Sequence, residues 1–168
     1  MAADKKPSTK EESAKEIEKA IRKSLKKPTG ELTKADLEKV TLMDLDYFRF
    51  RRRIQLTDVK GLEKLTQLRT LGLRKNKLTD VKGLEKLTQL KLLGLGYNKL
   101  TDVKGLEKLD QLETLDLWGN QLTDVKGLEK LTKLRSLNLR DNPALTKAQI
   151  NQLQKALPKC KIRSNPTK

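Results

Sequence analysis

The sequence predicts an α/β solenoid: an arch with a parallel sheet on its concave side and short helical or 3-10 turns on its convex side. Three observations carry that prediction. The phrase LTDVKGLEKL begins at Leu56, Leu78, Leu100 and Leu122, a period of 22 residues. Each copy is followed by a more variable phrase containing L-x-x-L-x-L-x-x-N, in which alternating leucines describe a strand buried on one face and the asparagine marks a turn. Finally, the 168-residue chain is only 3% aromatic but rich in leucine and lysine. Such a composition cannot fill a wide core with rings, but it can fill a narrow one with stacked leucines.

Along the chain, Ser8 and Glu11 read as a capping box that opens a helix with Ala14, Ile17, Ala20, Ile21 and Leu25 at helical spacing. KKPTG ends that helix, and Thr33 with Asp36 caps a short second helix reaching Val40. Residues 1–40 thus form a helical N-terminal cap, 41–143 the repeats and 144–168 a C-terminal cap. The first strand is VTLMDL, with Val40, Met43 and Leu45 in the leucine positions. Ten residues separate Leu45 from the next LTDV, where four separate Leu73 from its own, so the first repeat carries a six-residue insertion near 47–55, in YFRFRRRIQ.

In the later repeats, Leu71 and Leu73, or Leu93 and Leu95, face inward. Asn76, Asn98, Asn120 and Asn142 recur at the period, and their amides are expected to form a ladder that satisfies backbone groups of each turn and its neighbour. GLEKL is too short for a full helix and predicts a single helical or 3-10 turn. At the far end Thr146 and Gln149 form a capping box for a helix running to about Leu157. A last strand, LPKCKIRSN, places Cys160 in a core leucine position, where a free cysteine serves as a small hydrophobe. One repeat cannot bury its own leucines, so the stack is stable only as a whole.

On these residues the chain resembles the 22-residue class of bacterial leucine-rich repeat proteins, similar in spacing to internalins and to phosphatase-regulatory repeat proteins. The resemblance covers roughly residues 30–166 and implies a leucine-rich repeat arch.

The chain has no histidine and one cysteine, which excludes an intramolecular disulfide and a cysteine-rich metal site. It shows no Gly-rich phosphate loop and no serine beside a general base, so no enzyme and no cofactor is expected. Without an apolar leader or membrane-length run, the given chain predicts a cytoplasmic, monomeric protein with no membrane partner. The formal charge is +16. It is densest in the C-terminal cap and in the second strand phrase, and is interrupted by Asp110, Glu113 and Asp116. Asp58, Asp80, Asp102 and Asp124 recur at one place and read as structural.

The convex phrase hardly changes between copies, whereas the outward strand positions change almost every time. In strand order these are Asp44, Gly72, Gly94, Asp116 and Asn138, then Asp46, Arg74, Gly96, Trp118 and Arg140, then Tyr47, Lys75, Tyr97, Gly119 and Asp141. Tyr97 and Trp118 are expected as diagonal neighbours flanked by Arg74 and Arg140. Aromatics and arginines of this kind anchor interfaces. The partner-binding set is therefore Arg74, Tyr97, Trp118, Arg140, Asp116 and Tyr47, and the expected function is a non-catalytic scaffold for a protein or peptide. The alternative is an electrostatic binder of nucleic acid or another polyanion, using Arg49, Arg51, Arg52, Arg53 and the basic caps. A third reading is that the near-identical repeats, or the insertion, are engineered. Phe48 and Phe50 are expected to fold back over the edge of the stack.

Overall fold

The computed structural model describes residues 8–47 and 54–165. Phe48, Phe50 and the four arginines of the insertion lie outside the described residues.

Six three-residue strands form one parallel sheet in chain order. They are β1 (Leu42–Asp44), β2 (Thr70–Gly72), β3 (Leu92–Gly94), β4 (Thr114–Asp116), β5 (Ser136–Asn138) and β6 (Lys161–Arg163). The register is unbroken: Met43, Leu71, Leu93, Leu115, Leu137 and Ile162 align as one inward row. The inward leucines of every repeat meet in one continuous core, together with Val59, Val81, Val103 and Val125 of the convex phrases. The fold class is an α/β solenoid.

On the convex side the predicted turns are 3-10 helices at Leu62–Lys64, Leu84–Lys86, Leu106–Lys108 and Leu128–Lys130. Each is preceded by a glycine in the left-handed region, with φ of 104° at Gly61, a conformation that penalises a Cβ. The recurring aspartates are structural parts of this turn. Asp58 Oδ1 accepts from the Lys60 amide at 2.6 Å, and Asp80, Asp102 and Asp124 repeat the bond. The invariant glutamate does a second local job, as Glu63 Oε2 accepts from the Gly61 amide at 2.6 Å.

The asparagines form the expected ladder. Asn98 Oδ1 accepts from the Leu78 amide at 3.1 Å, and its Nδ2 donates to the Leu73 and Leu95 carbonyls at 2.9 Å. Leu73 O also accepts from Asn76, and Leu95 O from Asn120, so adjacent repeats share each carbonyl. Buried backbone groups left by the tight turn are thereby satisfied.

At the N-terminus, α1 spans Lys10–Ser24 and buries Ile17 and Ile21 against the stack. Its cap differs from the sequence expectation: the capping box is Thr9 with Glu12, one residue beyond Ser8 and Glu11. Ser8 is buried instead, its hydroxyl donating to the Gln55 carbonyl at 2.6 Å and lying 2.9 Å from the Ser13 hydroxyl. Both frames satisfy the local pattern, and burial against the first repeat selects between them. The second helix, α2 (Lys34–Leu37), has the Thr33–Asp36 box but stops short of Val40. A 2.7 Å hydrogen bond from Lys27 Nζ holds the Asp36 carboxyl well below the usual carboxylate range.

At the other end α3 (Lys147–Ala156) carries the predicted Thr146–Gln149 box. Leu153, Leu157 and Cys160 close the core there. Among the described residues no helix is long and apolar enough to cross a membrane.

Candidate functional site: the concave face

Outward residues of parallel strands stack into rows at the strand spacing, about 4.8 Å. The first row runs Leu42, Thr70, Leu92, Thr114, Ser136, Lys161, and the second Asp44, Gly72, Gly94, Asp116, Asn138, Arg163. Beyond the strand ends lie Asp46, Arg74, Gly96, Trp118 and Arg140, and then Tyr47, Lys75, Tyr97, Gly119 and Asp141.

Tyr97 and Trp118 meet, with ring centroids 4.7 Å apart and planes tilted by 50°. They are 40% and 36% exposed, so the pair stands on the surface. Backbone geometry sets it there. The row of Lys75, Tyr97, Gly119 and Asp141 is left-handed throughout, with φ of 58°, 56°, 66° and 53°. Gly119 meets that demand without strain. It also makes room, because a Cβ there would lie 2.9 Å from Tyr97 Cδ1. On the far side Trp118 Nε1–H donates to Asp141 Oδ2, and Lys75 Nζ sits 5.5 Å from the centre of the Tyr97 ring.

Arg74 does not simply flank the pair. Its Nε donates to Asp116 Oδ2 at 2.8 Å, two strands away, and its Nη1 lies 3.9 Å from Asp46 Oδ2. The guanidinium crosses Gly94, whose absent Cβ would lie 3.2 Å from Nε. Asp46 Oδ1 in turn accepts from the Arg74 amide at 2.7 Å, and Asp116 Oδ1 from the Trp118 amide at 3.2 Å. Asp116 thus has something organised beside it, which spacing along the sequence concealed. Arg140 is exposed and Tyr47 half-buried at the first repeat. Arg49, Arg51, Arg52 and Arg53 lie outside the described residues, so the structure neither joins them to this face nor separates them from it.

Two residues escaped the sequence reading. Leu42 and Leu92 are 59% and 38% exposed in the outermost row. Their signal was the alternation itself, which turns the residue before each inward strand leucine outward. Among the described residues no group of three or more His, Cys, Asp or Glu is placed to hold a metal ion.

A family model of paired leucine-rich repeats matches residues 66–108 and 110–155, more than half of the chain. The chain is a leucine-rich repeat protein. This leucine-rich repeat chain is similar in structure to an internalin from Listeria monocytogenes, with a TM-score of 0.81 and 26% identity over 99% of its own length. It spans about half of that internalin, 48%. Internalin C2 of the same species matches with a TM-score of 0.70 and 25% identity, over 86% of this chain and 71% of that one. A leucine-rich repeat protein of Leptospira interrogans matches with a TM-score of 0.66 and 31% identity, over 79% and 33% of the two chains. A sequence comparison with curated proteins finds no match. Leucine-rich repeat proteins such as the internalins are typically non-enzymatic protein-interaction scaffolds.

Proposed function

We propose that this leucine-rich repeat protein is a non-catalytic scaffold that docks a protein or peptide on the concave face, with Tyr97 and Trp118 as its anchor. The supporting observation is the exposed ring pair, held at a rigid left-handed turn and braced by Asp141. Aromatic side chains fixed in advance bury large area on binding at little entropic cost. Leu42 and Leu92 add apolar surface on the same sheet. Arg74 and Asp116 form a polar bridge between these two apolar zones and set the register of the partner, while Arg140 and Tyr47 border the surface. A continuous polyanion on this face would meet Asp44, Asp46, Asp116 and Asp141, which weighs against nucleic acid as the occupant.

The test is capture of a partner by the wild-type protein, followed by affinity measurement with Trp118→Ala. A loss of about 2 kcal/mol in binding, with unchanged melting, is the hot-spot result. Unchanged affinity in a folded variant overturns this placement of the surface.

A further inference from the structure

Some charges of the concave face pair internally: Arg74 with Asp116 at 2.8 Å and, on the edge where the strands begin, Lys91 with Glu113 at 3.4 Å. One groove instead gathers several lysines. It lies at the edge where the strands end, holds about 550 Å³, and runs over the asparagine ladder from Gln55 to Gln121 past Lys75, Lys77, Lys99 and Tyr97. Among the described residues no carboxylate lines it. Lys77 and Lys99 take the same position in neighbouring repeats, which Gln55 and Gln121 fill on either side. Their amides are fixed to the Leu56 and Leu78 carbonyls, each at 2.8 Å, so their backbones stand about one strand spacing, roughly 5 Å, apart. Among the described residues neither has a carboxylate within ion-pair distance.

We propose that this groove is an anion subsite that receives the carboxylates of an acidic peptide segment, whose adjoining apolar residue rests on the Tyr97–Trp118 pair. The proposal rests on the concave docking reading and adds the chemistry of the partner. Two lysines whose backbones stand this close can bring their ammonium groups to bracket one carboxylate or to take one each from adjacent acidic residues, and charge-assisted hydrogen bonds of this type are the strong ones. Tyr97 belongs to both the groove and the ring pair, so one peptide can use both. The extent of the basic surface selects the peptide over a nucleic acid strand: beyond the rings lie Asp116 and Asp141, which repel a continued phosphate chain but leave a short acidic cluster unaffected.

The test uses the full chain and anisotropy of a rhodamine-labelled peptide containing Glu-Glu-Phe-Leu, its Gln-Gln counterpart, and labelled oligothymidylate. Saturable binding of the Glu-Glu peptide is expected, weakened roughly tenfold or more by Lys77→Gln with Lys99→Gln. The same binding is retained by the paired Lys→Arg changes and by Lys82→Gln with Lys104→Gln on the convex side. The subsite is overturned by absence of saturable binding, by equal loss in the convex control, or by oligothymidylate binding more tightly through the same two lysines. Equal binding of both peptides, with both weakened by Trp118→Ala, removes the anion subsite and leaves the concave docking surface. Lysine-dependent binding indifferent to Trp118→Ala keeps the anion subsite and removes the aromatic anchor.

Discussion

Arg74 reaches from the end of β2 over Gly94 of β3 to Asp116 of β4, closing a 2.8 Å hydrogen bond between residues 42 positions apart. The path is open because the intervening residue has no side chain. Arg74 remains 46% exposed, so the bridge adds little to stability; its effect is to fix where charge sits on the face. Arg74→Ala should therefore lower stability by no more than about 1 kcal/mol. Urea denaturation checks this, and a loss several times larger would show that the bridge supports the stack.

Asn98 is a different case, being buried and bonded on both sides. In Asn98→Ala the Leu73 and Leu95 carbonyls keep their bonds to Asn76 and Asn120, while the Leu78 amide loses its acceptor. A loss of about 3 kcal/mol is expected from that orphaned donor and the small void. Asn98→Asp should be at least as harmful, since a carboxylate would face two carbonyl oxygens it cannot bond. Equilibrium unfolding of the two variants compares them, and a milder loss in the aspartate variant would contradict the ladder.

Gly119→Ala tests the ring pair. At φ of 66° a Cβ costs about 1 kcal/mol, and it would also press into Tyr97. Trp118 is the single tryptophan, so its emission reports the pair directly. A red or blue shift with modest destabilisation is expected, and an unaltered spectrum would mean that the rings do not depend on Gly119.

Cys160 is 4% exposed, and burial pushes its thiol pKa up. Less thiolate forms at a given pH, and the reagent cannot reach what does form. Labelling by a maleimide near neutral pH should be slow in the native state and complete in denaturant. Rapid native labelling would place the thiol at the surface.

The sequence by itself determined the period, the inward leucines, the asparagine ladder and the C-terminal cap. Each is a local pattern repeated until only one stacking satisfies all copies, and burial enforces it. The diagonal pairing of Tyr97 and Trp118 was legible for the same reason, since the period places them in adjoining rows of adjacent repeats. Tertiary structure decided what those outward residues do. Arg74 meets Asp116 only because the stacking brings the end of β2 within reach of β4 across a glycine of β3, a contact that sequence distance cannot suggest. Ser8 and Thr9 offered equivalent caps locally, and the Gln55 carbonyl, 47 residues away, chose between them. Leu42 and Leu92 were given no role from the sequence, and the strand register sets them side by side with their neighbours in the outermost row. In each case the deciding interaction lies between repeats, where neither propensity nor periodicity within one repeat has a say.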